Sequence, residues 1–235
     1  MLSPVAQGRA EVGRTAFRIG PDALPLTLVM PVRAHGLVLF AHHCHSPQLI
    51  EQDLFLAQVW RAYGLGSLQF DLSGAPAQSA RALPAAGAGP SAVLVSVLDW
   101  AAQRADLRGL PVGLFGSGAG ASSALRVAAL ESQRIGAVVT NAGHTDLAQD
   151  LLARIQAPTL MILGQRDQGR LERSNRRALH RLQCEARLER VPGTTLRLAR
   201  PGTFDLVVGL AGHWFEQHLV PRETGTIDGR QTQCL

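Results

Sequence analysis

Short apolar runs and longer amphipathic stretches alternate along this chain. Gly36–Ala41 reads GLVLFA, a run without a polar side chain. A strand buried on both faces has this composition, because neither side of it meets water. LPVGLFG (Leu110–Gly116), IGAVVT (Ile135–Thr140) and PTLMILG (Pro158–Gly164) share that character, while GSLQFDL (Gly66–Leu72) and ARLERVP (Ala186–Pro192) are strand-like with more polar positions. Between these runs the period changes. In QLIEQDLFLAQVWRAYG (Gln48–Gly64), Leu54, Phe55, Val59 and Tyr63 recur at helical spacing, which places an apolar stripe on a helix. Helices are expected likewise over Ser91–Ala105, from about Ala121, around Leu147–Arg154, near Leu171–Leu182 and over Phe204–Leu219. TAFRI (Thr15–Ile19) and LTLVMP (Leu26–Pro31) flank the turn signal GPDALP and predict an antiparallel opening pair.

Parallel strands need a crossover, and the crossover is almost always a right-handed helix. The alternation therefore predicts an α/β fold. It is expected as one domain over residues 1–220, a mostly parallel sheet of about eight strands with helices on both faces. Ligands of such sheets sit outside the carboxyl ends of the strands. SGAPAQSARALPAAGAGP (Ser73–Pro90) is a loop of small residues at that end and a candidate mobile cover. Residues 221–235 are polar and read as a flexible tail.

Composition changes this picture little. The chain has 235 residues, 46% of them hydrophobic, which suits one domain with a sizeable core. Its isoelectric point of about 10.3 raises the question of nucleic acid. However, all 23 basic residues are arginine and they are scattered rather than gathered on a stripe, so no nucleic-acid partner is expected. Cys44, Cys184 and Cys234 are too dispersed for a disulfide framework. No apolar stretch reaches the length of a membrane span, and the first residues lack the pattern of a signal peptide. A cytoplasmic protein without membrane contact is expected; the oligomeric state is left open.

Candidate chemistry centres on GLFGSGAG (Gly113–Gly120). Together with VLFAH and FDLSG before it, and APTLMILGQRD and RLERVPG after it, this stretch resembles the α/β-hydrolases. Within them the chain is similar to the small dienelactone-hydrolase-like proteins, from about Arg18 to Leu219. The resemblance implies a serine on a sharp strand-to-helix turn, written G-x-S-x-G. Here Gly116 and Gly120 match the flanking glycines, and Gly118 stands where the serine would be. Glycine tolerates positive φ, so the turn is expected to keep its shape while losing its nucleophile. Ser117 and Ala119 lie beside it; Ser117 is either a substitute nucleophile in a shifted frame or a hydroxyl capping the following helix.

The same resemblance implies Asp167 as the triad acid, a role that competes with capping its own loop or pairing with Arg166 or Arg170. At the base position, often G-x-T-H, the chain reads GTTL, which puts Leu196 there. No histidine lies between Cys184 and Gly212, and His213 and His218 fall on the terminal helix, where a packing or surface role is expected. The oxyanion loop reads FAHHCHSP. His42 matches the family histidine and is expected buried and hydrogen-bonded, while His43, Cys44 and His45 replace small residues.

Two readings follow. In the first, a catalytically degenerate member binds a small molecule or a partner in a pocket lined by His42, His43, His45, Asp71, Ser117, Ala119 and His144, without ordinary serine hydrolysis and without a cofactor. In the second, the loop itself carries chemistry. Cys44 would be a nucleophile activated by a neighbouring imidazole, or His43, His45 and His144 would hold a metal, with Asp71 as a further ligand.

Overall fold

The computed structural model describes residues 13–20, 23–43, 47–72, 89–193, 195 and 202–219. Within them, eight strands form one sheet. These are β1 (Arg14–Ile19), β2 (Leu24–Val29), β3 (Gly36–His42), β4 (Leu65–Asp71), β5 (Val112–Ser117), β6 (Ile135–Asn141), β7 (Thr159–Gly164) and β8 (Ala186–Val191). Five helices connect or follow them: α1 (Pro47–Ala62), α2 (Pro90–Gln103), α3 (Gly120–Leu130), α4 (Arg170–Arg181) and α5 (Thr203–His218). The order across the sheet is β1-β2-β4-β3-β5-β6-β7-β8. β1 and β2 pair antiparallel, β2 joins β4 antiparallel, and every later pair is parallel.

Strand burial follows position in the sheet. Every residue of the central β3 is buried, whereas β8 at the edge alternates exposed with partly buried positions. The helices divide between the faces. α2, α3 and α4 cover one apolar cluster that includes Leu39, Leu114 and Val138. α1 and α5 cover the other, around Phe40, Phe115 and Val139. On that second face Trp60 of α1 packs against Phe40, Phe115 and Phe215, and its indole N–H donates to the Val208 carbonyl of α5 at 3.0 Å. No helix among the described residues is long and apolar enough to cross a membrane.

One expected helix is absent. Leu147–Arg154 does not form an α-helix; Thr145–Ala148 and Leu152–Arg154 are two separate 3₁₀ turns. The inward spacing that suggested a helix is real, since Thr145, Ala148, Leu152 and Ile155 are all buried. The backbone nonetheless bonds i to i+3, from Leu151 to Ala148, Arg154 to Leu151 and Ile155 to Leu152. The Gln149 carbonyl, which a continuing helix would use, accepts instead from the Arg181 guanidinium at 3.1 Å. Pieces this short gain little from α-helical propagation, so that tertiary bond prevails. Residues 73–88, most of the candidate cover, and the tail 221–235 lie outside the described residues.

Candidate functional site

β5 runs to Ser117 at the carboxyl edge, Gly118 turns the chain, and α3 begins at Gly120. Gly118 has φ +54, the left-handed conformation that a strand-to-helix elbow requires and that glycine adopts without strain. The flanking glycines answer to contact. A Cβ on Gly116 would sit 2.6 Å from Ala121 Cα, and one on Gly120 would overlap the Ala41 carbonyl oxygen. The elbow is therefore pressed against β3 on one side and its own helix on the other. A methyl group at Gly118 itself would meet no described atom within 4 Å.

The turn is also tied to β6. Gly118 donates its N–H to the Asn141 carbonyl at 3.1 Å, and its own carbonyl accepts from the His144 N–H at 2.9 Å. The His144 carbonyl in turn accepts from the Ser122 hydroxyl of α3. Between Asn141 and His144 the backbone is strained, for Ala142 is buried at φ +46. A side chain in the left-handed region costs about 1–2 kcal/mol, and such outliers gather where surrounding structure over-determines them. Ser117 does not cap α3, whose first turn has no side-chain cap. It belongs to β5, paired with Asn141, two residues before the N-cap position Ala119. Phe115, which a shifted frame would make a flanking position, is buried in the core.

His42 closes β3 and is 5% exposed. Its Nδ1 lies 2.7 Å from Asp53 Oδ2 on α1, and a carboxylate can only accept there, so Nδ1 carries the proton. The ring stands edge-on to Phe40 and Phe115. Asp53 is held in turn through its carbonyl, which accepts from Gln69 Nε2 at 2.7 Å. Asp53 was not among the residues singled out in the sequence. Its signal was there, because position 53 precedes the buried Leu56 and Trp60 at helical spacing, a carboxylate on a core-facing stripe.

His43, the first residue past β3, reaches α3, with Nε2 3.3 Å from Ser123 Oγ. Burial pushes its pKa below the ordinary histidine value, against the opposing charge of Asp71 and with a smaller contribution from His42. Asp71 ends β4 in register with His42. Cys44 and His45 lie outside the described residues, as does Leu196. Among the described residues no group of three or more His, Cys, Asp or Glu side chains could hold a metal. Cys184 is half-buried, and burial pushes its thiol pKa up, which makes it a poor nucleophile.

At the end of β7, Asp167 secures its own loop. Its Oδ2 accepts from the Gly164 N–H at 2.8 Å, and its N–H donates to the Gly164 carbonyl at 2.9 Å. Arg170 goes elsewhere, to Asp146 at 2.5 Å, and the guanidinium beside it holds that carboxyl below its usual range. His144, Asp146, Arg166, Asp167 and Arg170 line a cavity of about 310 Å³ over the ends of β6 and β7. His213 and His218 stay on α5, the first with Nδ1 donating to the Gly209 carbonyl, the second packed on Trp214.

This fold and elbow can be set beside known proteins. No family profile matches the chain. The solved structure of dienelactone hydrolase from Anabaena variabilis is 31% identical, covering 88% of this chain and 99% of its own, with a TM-score of 0.76. The chain belongs to the dienelactone hydrolase family. A cold-adapted esterase from an Arctic intertidal metagenomic library shares the fold at 17% identity and TM-score 0.66, over 93% of this chain and all of its own. Proteins of two Mycobacterium tuberculosis strains, provisionally named phosphoribosyl transferase, are 37% identical over 200 residues, which is 85% of this chain and 45% of theirs. The chain thus spans about half the length of the curated relatives it matches. The elbow Gly116–Gly120 of this chain has Gly118 at its apex, at φ +54.

Proposed function

We propose that this member of the dienelactone hydrolase family binds a small molecule at the carboxyl edge of its sheet and has lost serine-dependent acyl transfer. The observation that carries the reading is Gly118. It stands at the apex of an elbow with φ +54, with no described atom within 4 Å of where a Cβ would sit and no side chain to attack an ester. The two other triad positions agree. Leu196 replaces the base, and Asp167 is occupied in closing its own loop. What survives is a docking edge, since the first N–H groups of α3 have no partner within the helix and favour electron-rich ligand atoms.

The test is direct. Purified protein is assayed on a panel of activated short-chain esters, and native mass measurement is made of any molecule carried through purification. A bound small molecule with no turnover supports the reading; turnover abolished by Cys44→Ala overturns it in favour of a remodelled site around Cys44 and the histidines His42, His43 and His45. In that second reading His43 is the imidazole next to the thiol in the sequence, neutral but made a weaker base by its burial. Metal analysis of untagged protein tests the variant of it in which His43, His45 and His144 hold an ion. The transferase activity in the provisional name of the mycobacterial proteins is assigned, in this reading, to the part of them that the chain does not span.

A further inference from the structure

The ends of β3, β5 and β6 set three polar side chains side by side at the carboxyl rim. β3 and β5 pair as Phe40↔Phe115 and Ala41↔Gly116, so His42 and Ser117 are next in that register. Ser117 pairs with Asn141 on the other side. Side chains alternate faces along a strand. Phe40, Phe115 and Val139, each two residues earlier, all belong to the core beneath α1 and α5, so His42, Ser117 and Asn141 share that face.

Two acceptors of the row are unpaired. His42 is 5% exposed and Asn141 7%, yet His42 Nε2 and Asn141 Oδ1 are both buried without a hydrogen-bond partner. Because Nδ1 gives its proton to Asp53, Nε2 presents a lone pair, and the amide oxygen presents another. Ser117 between them has a single O–H, which can serve at most one of the two, and neither it nor the Asn141 amide N–H2 bonds to either acceptor. Unpaired buried acceptors are destabilising. Beside them Ser117 and Gly118 are partly exposed, and a methyl group at Gly118 would meet no described atom within 4 Å.

We propose that His42, Ser117 and Asn141 form a subsite for a hydrogen-bond-donating head group, an ammonium or a hydroxyl, of the molecule bound at this edge. The proposal rests on the small-molecule-binding reading above and specifies the end of the ligand that enters.

The full chain, labelled with ¹⁵N, is titrated with 2-aminoethanol and ethylene glycol as donor probes and with acetate as an acceptor-only probe. The His42 Nε2 resonance is expected to be shifted by at least one donor probe and not by acetate. Ser117→Ala and Asn141→Leu should each weaken the donor probe by about fivefold, the worth of one hydrogen bond; the serine variant is conservative enough to keep the fold if the other does not. A resonance that ignores both donors, or follows acetate equally, overturns the subsite. Donor probes that bind both variants as tightly as the wild type overturn it while leaving the binding reading intact. Failure of every probe, with no molecule found after purification, overturns both.

Discussion

At the scale of single residues, the elbow separates two glycines that look alike in the sequence. Gly118→Ala adds a methyl group that meets no described atom within 4 Å, at φ +54, so its cost is mainly backbone strain, about 1–2 kcal/mol. Gly120→Ala drives a methyl group into the Ala41 carbonyl, and overpacking of that kind costs about 1–3 kcal/mol or more. Urea denaturation of the two variants should rank them in that order. For chemistry, Gly118→Ser with Leu196→His should recover measurable esterase activity, and Gly118→Ser alone almost none, since a serine without its base is not activated. A folded double variant inert on every activated ester would show that the remodelled FAHHCHSP loop no longer supports an oxyanion. Asp53→Ala should cost about 1–3 kcal/mol, the penalty of leaving a buried donor unpaired, because it strands the Nδ1–H of His42. Asp53→Asn should cost less, since its carbonyl oxygen can still accept.

At the scale of elements, β3 carries His42 and His43 in opposite situations. His42 is anchored to α1 through Asp53, while His43 reaches across to Ser123 on α3. Burial lowers the His43 pKa, so the unfolded chain takes up a proton that the folded one resists. The stability this contributes is complete above the unfolded value of about 6.5 and is lost as pH falls through the lowered folded value. His43→Gln should therefore flatten the pH dependence of stability below about 6.5, measured by denaturant titrations at several pH values. The link between the end of β6 and α4 behaves differently. The Asp146–Arg170 pair holds the Asp146 carboxyl low, and its contribution is present above the ordinary aspartate value of about 3.9 and lost as pH falls through the lowered one. Arg170 is 85% exposed, so Arg170→Ala should cost less than about 1 kcal/mol, and less again in high salt or acid.

At the scale of the whole molecule, the formal charge of +5 is carried by arginines spread over the chain. Many are already engaged by nearby carboxylates, among them Arg104 with Asp106, Arg134 with Asp99 and Arg176 with Glu172. Any association with duplex DNA should therefore be weak and vanish between about 50 and 200 mM salt, the signature of non-specific phosphate contacts. Fluorescence polarisation with a labelled duplex checks this; salt-resistant binding would reveal an organised basic face.

The alternation of period along the chain was enough to determine the α/β class, the strands and all but one helix, because burial on one or both faces writes itself directly into the order of apolar residues. The elbow was equally legible. Gly116, Gly118 and Gly120 stand at a spacing that few local structures need, and the positive φ of Gly118 follows from it. Tertiary structure decided the rest. The Leu147–Arg154 segment has helical burial but 3₁₀ bonding, because Arg181, distant in sequence, takes the Gln149 carbonyl. The His42–Asp53 pair depends on how α1 lies against β3, and the polar row of His42, Ser117 and Asn141 exists only because the strand order makes β5 the neighbour of both β3 and β6. Periodicity records which face of an element is buried, whereas the partner of a buried polar group is fixed by strand order and helix placement, which no local stretch of sequence contains.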